Sequence, residues 1–158
     1  MQRMFWVGAV VLLAVAGTAV AAEAITIALK DMKCKPAEGV DYADGVKYLE
    51  NESKIAFYTN GTATTEFKVP KDGEYTITIE MSCDEALGEK AKMKLTAGGK
   101  VVKDKFDLTQ TAAKAYPFTA QLKKGDAKLV VEFLNDKYKE NEYDLNLYLH
   151  AITIKKKN

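Results

Sequence analysis

Apolar and polar residues alternate with a period of two along most of this chain, and that alternation predicts strands. Residues 24–29 (AITIAL), 54–59 (KIAFYT), 62–69 and 74–81 (EYTITIEM) carry the pattern in the first half. Residues 91–96, 100–108, 115–122 and 128–134 carry it further. In the last run, 144–154, Leu145, Leu147 and Leu149 alternate with Asn146, Tyr148 and His150. These runs are rich in β-branched and aromatic residues, which pack well on a pleated surface. Asn60 with Gly61, and Gly98 with Gly99, are hairpin signals between such runs. Pro117 lacks an N–H for a sheet ladder, so its strand belongs at an edge or begins there. Residues 30–44, with Pro36 and Gly39, read as a loop, and 46–49 as a short strand or part of that loop. Residues 82–90 read as a polar loop. No stretch has a long helical period and no repeat is visible. Eight or nine short, evenly spaced strands predict an all-β fold, a jelly-roll β-sandwich in a single domain.

One interruption changes the picture. Residues 135–144 separate the last two strands and collect Asn135, Asp136, Glu140, Asn141, Glu142 and Asp144, with Tyr138 and Tyr143 among them. Oxygen donors crowded into a short loop, and held at both ends by strands, suit a hard cation. Calcium takes about six to eight oxygens from carboxylates, carbonyls and water. The plainer alternative is a solvated turn, which Lys137 and Lys139 partly neutralise.

Residue order narrows the choice. Phe133, Leu134, Asn135 and Asp136, followed by Tyr143, Asp144, Leu145, Asn146, Leu147 and Tyr148, resemble the C-terminal signature of calcium-dependent xylan-binding modules. Those modules are carbohydrate-binding module families 36 and 60, with the pattern F-x-N-D, a short loop and D-R-N-L-Y. The resemblance implies a jelly roll with calcium at one end of the sandwich. It makes Asp136 and Asp144 the carboxylate ligands and Tyr143 the donor of a main-chain carbonyl, with vicinal sugar hydroxyls completing the shell. Asn135, Tyr138, Asn146 and Tyr148 are then the expected ligand contacts, the tyrosines offering apolar faces to a sugar ring. The likeness is concentrated in residues 133–148 and is general elsewhere. Leu145 stands where those families usually have Arg, and Tyr143 where Trp is often seen.

Composition removes several other functions. Residues 1–22 read as a secretory signal peptide: Arg3, an apolar run, then small residues with cleavage after Ala21 or Ala22. The rival is an uncleaved anchor of nearly spanning length. The domain is then 23–158, large enough to bury a core without metals or several disulfides. Arg3 is the only arginine and Trp6 the only tryptophan, so the domain has neither, and its lysines balance its acids almost one for one. Nucleic-acid binding has no footprint in that balance. The two cysteines, Cys34 and Cys83, either pair after export or stay as buried thiols.

The catalytic inventory is thin. His150 is the only histidine, no phosphate loop or nucleophile elbow is present, and a carboxylate pair for glycoside hydrolysis is not readable from spacing. Asp84 and Glu85, in the polar loop, are possible further calcium ligands. Asn51 and Asn60 head glycosylation sequons. The expectation is a secreted or periplasmic, monomeric, non-catalytic module. It binds xylan-like or related plant or algal polysaccharide through Ca2+, without nucleic acid and without stable membrane insertion. The competing expectation is a structural or adhesive cell-envelope protein in which calcium merely braces the loop.

Overall fold

In most of the alternating runs the apolar positions are the buried ones; residues 100–107 are the exception, with Val101 54% exposed. The computed structural model describes residues 24–157, so the expectations for residues 1–22 lie outside the described residues. In chain order the strands are β1 (Ile25–Thr26), β2 (Lys33–Pro36), β3 (Val46–Leu49), β4 (Lys54–Phe57), β5 (Gly61–Val69), β6 (Gly73–Cys83) and β7 (Glu85–Ala86). They continue as β8 (Glu89–Lys90), β9 (Lys92–Ala97), β10 (Lys100–Asp107), β11 (Lys114–Leu122), β12 (Gly125–Phe133), β13 (Lys137–Lys139), β14 (Tyr143–Leu145) and β15 (Leu147–Lys156). Two three-residue 3-10 turns, Leu29–Asp31 and Glu50–Glu52, are the helical elements among the described residues. No helix there is long and apolar enough to cross a membrane.

The strands form two antiparallel sheets, ordered β11-β6-β15-β4-β3, with β1 on β15, and β10-β9-β12-β5-β2. Their inward faces share one core, including Phe57, Ile77, Met81, Leu129, Phe133 and Leu147, all at most 1% exposed. Phe57 from one sheet meets Phe133 from the other edge to face, with centroids 6.3 Å apart. This is the expected jelly-roll sandwich. Pro117 is on an edge strand, as its missing donor requires: β11 has β6 as its one sheet partner. Gly98 and Gly99 take positive φ values of 56° and 76° and close the β9–β10 hairpin.

The structure corrects several local readings. The presumed loop 30–44 contains β2, which pairs with β5, and the polar loop 82–90 folds into the β7–β8 hairpin. Cys34 and Cys83 are separate free thiols, on β2 in one sheet and at the end of β6 in the other. The largest correction concerns Asn60 and Gly61. They do not make a hairpin, because β4 and β5 belong to different sheets and the chain crosses the sandwich here. Gly61 is needed for close approach. A Cβ at this position would lie 2.5 Å from the Lys35 carbonyl oxygen, 2.6 Å from Val46 Cγ2 and 2.9 Å from Pro36 Cα. Two of those contacts are to backbone, which has little room to yield. Gly61→Ala is therefore expected to cost about 2 kcal/mol, read as a fall of roughly 6–8 °C in melting temperature. An unchanged melting curve would show that the crossing tolerates a side chain.

The strands flanking the acidic loop, β12 and β15, also lie in opposite sheets. The loop therefore caps one end of the sandwich.

Candidate functional site

The cap begins where β12 runs out at Phe133. Both ends of the Asn135 amide are committed to main chain: Oδ1 accepts from the Lys92 N–H at 2.6 Å, and Nδ2 donates to the Lys90 carbonyl at 3.0 Å. The Leu134 N–H adds a bond to the Lys92 carbonyl at 3.0 Å. One residue on, the Asp136 N–H donates to Asn60 Oδ1 at 2.8 Å. The root of the loop is thus clamped to β9 on one side and to the sheet crossing on the other. Beyond it, β13 and β14 form a small hairpin that sets Tyr138 opposite Asp144 and Lys139 opposite Tyr143. Asn141, with φ at 58°, turns the chain between them.

This arrangement brings Asp136, Tyr138 and Asp144 together on one wall of a cleft of about 480 Å3. Tyr42, Tyr58 and Thr59 line the rest of it. Tyr138 is 66% exposed and Tyr42 47%, so two large aromatic faces stand open to solvent beside two carboxylates. Asp136 Oδ1 is buried without a hydrogen-bond partner. Burial pushes the Asp136 carboxyl above the usual carboxylate range, the charge of Asp144 pushes it further, and the Lys137 N–H pulls partly back. A half-buried carboxylate that faces a second carboxylate, with one oxygen orphaned, is a poor arrangement for an empty site and a good one for a cation.

The lysines of the loop are turned to other acids. Lys137 Nζ is 2.6 Å from Glu89 Oε1, Lys92 Nζ is 2.9 Å from Glu89 Oε2, and Lys139 pairs with Glu142 at 2.5 Å. Hydrogen bonds from Lys137 and then Lys92 hold the Glu89 carboxyl down at about 2. Asp136 and Asp144 form no ion pair among the described residues.

The remaining expected residues are placed differently. Tyr143 packs its ring against the core, which leaves its main chain as the part available to the site. Asn146 is 4% exposed, and with Tyr148 it lies beside the cleft, not among its lining residues. Both donate to one oxygen of Asp84: Asn146 Nδ2 at 3.0 Å and the Tyr148 hydroxyl at 2.9 Å to Oδ2. Burial, then the bond to Asp84, raises the Tyr148 phenol well above its ordinary value. The Lys54 ammonium sits 4.3 Å from the centre of that ring. Glu85 is paired with Lys90 at 2.8 Å. His150 bonds Ser82 Oγ through Nε2 at 2.7 Å, where β15 slips its register against β6.

Sequence reasoning missed Tyr42, Tyr58, Thr59 and Asn60. Tyr42 stood in an apparent loop, and the other three were assigned to a strand end and a hairpin turn. An aromatic residue in a polar loop was the one signal on offer.

The donor set is all oxygen, which is the chemistry of calcium and not of a softer metal. Among the described residues no group of three His, Cys, Asp or Glu converges. A cation here would take two carboxylates from the protein and leave much of its shell to carbonyls, water and ligand oxygens. Asp136, with its orphaned oxygen, and Asp144 fit such an ion.

A two-sheet jelly roll with an acidic, tyrosine-lined cleft at one end is a carbohydrate-binding-module architecture, and solved structures agree on the fold. A CBM36-1 domain of a multidomain xylanase from the hindgut metagenome of Trinervitermes trinervoides is similar at a TM-score of 0.61 and 12% identity. The alignment covers 86% of this chain and 99% of that one. CBM36 in complex with calcium and xylotriose matches at a TM-score of 0.56 and 17% identity, over 84% of this chain and 98% of that one. The mannan binding module from Man5C matches at 0.56 and 14% identity, over 85% and 99%. No curated protein matches the chain. Residues 76–158 match CBM60, described as a Ca-dependent carbohydrate-binding module, xylan-binding. The chain belongs to the CBM60 family.

Proposed function

We propose that this protein is an exported, non-catalytic module that binds xylan-like or related polysaccharide through a calcium ion at Asp136 and Asp144. The observation that carries the reading is the cleft itself, where a half-buried carboxylate with one orphaned oxygen lies beside a second one, with exposed tyrosines alongside. Asp136 and Asp144 supply the charge, and the Tyr143 carbonyl is the main-chain ligand. Calcium's flexible shell supplies sites where vicinal sugar hydroxyls replace water. Tyr42, Tyr58 and Tyr138 give a sugar ring apolar surface to pack on. Asn60 and Asn135 fix the loop root, so little ordering remains to be done when ligand arrives. Asp84, Asn146 and Tyr148 act beneath the cleft as a brace. The CBM36 complex with calcium and xylotriose, similar in fold, lends support to the pairing of metal with sugar.

The test is a glycan array with melting curves, both run in calcium and in chelator. Binding to xylan or a related β-linked polysaccharide is expected in calcium alone. At a hundredfold excess over the dissociation constant, calcium should add about 2.7 kcal/mol, a rise of roughly 8–10 °C. Identical melting curves would dispose of the metal site. A calcium-raised melting temperature with no glycan retained would favour the competing reading, a structural or adhesive envelope protein. The absent family Arg at Leu145, and a domain without Trp, give that reading its footing.

A further inference from the structure

The end of the sandwich opposite the calcium cleft has a distinct electrostatic character. Nine residues of β12 separate the two ends, roughly 25–30 Å of strand. Three separate stretches of chain meet there: the Gly98–Gly99 hairpin, the β11–β12 corner and the start of β6 at Gly73. Between them lies a cleft of about 320 Å3. Lys100, Lys123, Lys124 and Lys128 line it, with Gln121 and Asp126.

Four acids lie nearby, and three of them are held by lysines or main chain. Glu74 pairs with Lys157 at 2.8 Å, while Glu66 stands across from Lys128 in the β5–β12 register without an ion pair to it. Asp126 is paired at 3.1 Å with Lys68, which stands outside the lining. Asp72, also outside it, binds the Lys123 ammonium at 3.0 Å and accepts the Lys124 N–H at 2.7 Å. Those bonds, the Lys124 N–H first, hold the Asp72 carboxyl below its usual range. Asp72 thus ties the corner in place. Among the described residues, Lys100, Lys124 and Lys128 have no carboxylate within ion-pair distance, and all three are exposed. The whole chain carries a formal net charge of only +1, so this positive end reflects segregation of charge and not an excess of it.

We propose that this cleft is a second, calcium-independent binding site for carboxylate groups of an acidic polysaccharide, the uronate residues of a polymer that carries them. A lysine ammonium is a compact point charge that suits a carboxylate. Gln121 spends its Nε2 on Glu74 at 3.2 Å, which leaves its Oε1 and the main chain around Gly98 and Gly99 as polar groups for neighbouring hydroxyls. No aromatic side chain lines the cleft, so bases of a single-stranded nucleic acid would have nothing to stack on. That lack of a stacking surface favours a polyuronate over a single-stranded nucleic acid.

The experiment keeps this site apart from the calcium cleft by working in chelator at low salt. The probes are polygalacturonic acid, the same polymer with its carboxyls reduced, and a single-stranded DNA oligonucleotide. Polygalacturonic acid is expected to bind, more weakly as salt rises, while the reduced polymer does not. The triple variant Lys100→Gln, Lys124→Gln, Lys128→Gln should weaken that binding at least roughly tenfold. The same variant should keep the parent melting temperature and any calcium-dependent xylan binding, whereas Asp136→Ala should still bind the polyuronate. The proposal is overturned by equal binding of the reduced polymer, by a triple variant that binds like the parent, or by DNA binding tighter than the polyuronate.

Discussion

Asp136→Ala and Asp144→Ala are each expected to weaken calcium binding by well over tenfold and to abolish calcium-dependent retention of xylan. The cleft offers a cation two carboxylates, so either substitution removes half of the charged ligation. No neighbour among the described residues can take over, since no third acidic or histidine side chain converges there. The effect on stability should differ in sign between the two states of the site. Without calcium, Asp136 suffers burial and repulsion from Asp144, so Asp136→Ala should melt at or slightly above the parent. In calcium the parent should overtake it, because only the parent gains the energy of binding. Lys137→Ala serves as the control in the same loop. It breaks a partly exposed ion pair with Glu89, worth at most about 1 kcal/mol, and should leave glycan binding intact. Calorimetry with calcium, followed by polysaccharide pull-down, reads all three. Parent-like binding by both aspartate variants would end the calcium-bridged mechanism.

Asp84→Ala should be the most damaging single change near the site, at about 2–4 kcal/mol, and should act on stability instead of ligation. One carboxylate oxygen receives both the buried Asn146 amide and the half-buried Tyr148 hydroxyl. Removing it strands two donors where water reaches them poorly, each costing about 1–3 kcal/mol. Asn146 already has an unpartnered Oδ1, so it has no spare bond to absorb the loss. A fall of roughly 7–14 °C in melting temperature is expected in the calcium-free protein, with calcium affinity changed only a few fold. A large loss of calcium affinity with little loss of stability would make Asp84 a metal ligand instead.

The two aspartates were legible in the sequence because both sit where strand pattern meets loop. Alternation placed the end of β12 within a residue, but it read 144–154 as one strand after a plain loop. Instead Tyr143–Leu145 pairs with Lys137–Lys139 in a hairpin and β15 starts at Leu147. The order of residues between the strands carried the family likeness. Asn135, Asn146 and Tyr148 were legible as polar residues in the right segment, but not in their roles. Whether an amide faces a ligand or a main-chain N–H depends on which strand lies alongside. For Asn135 that strand is β9, more than forty residues earlier in the chain.

Hydrophobic alternation determined the long strands and the sandwich class, Pro117 pointed to an edge or a strand start for β11, and the glycine pair marked the Gly98–Gly99 hairpin, because each depends on neighbours in sequence. Only the tertiary structure decided which strands pair and which residues meet at the ends of the sandwich. Asn60 and Gly61 show the difference. Locally they have the chemistry of a hairpin turn, yet β4 and β5 pair with β15 and β12, and the glycine serves a close crossing between sheets. Tyr42 and Tyr58 reach Asp136 and Asp144 by the same long-range closure, and so do the lysines of the opposite cleft. Side-chain periodicity encodes which face of a strand is buried, but pairing is settled by packing among strands far apart in the chain, and the functional ends of the sandwich are made of those pairings.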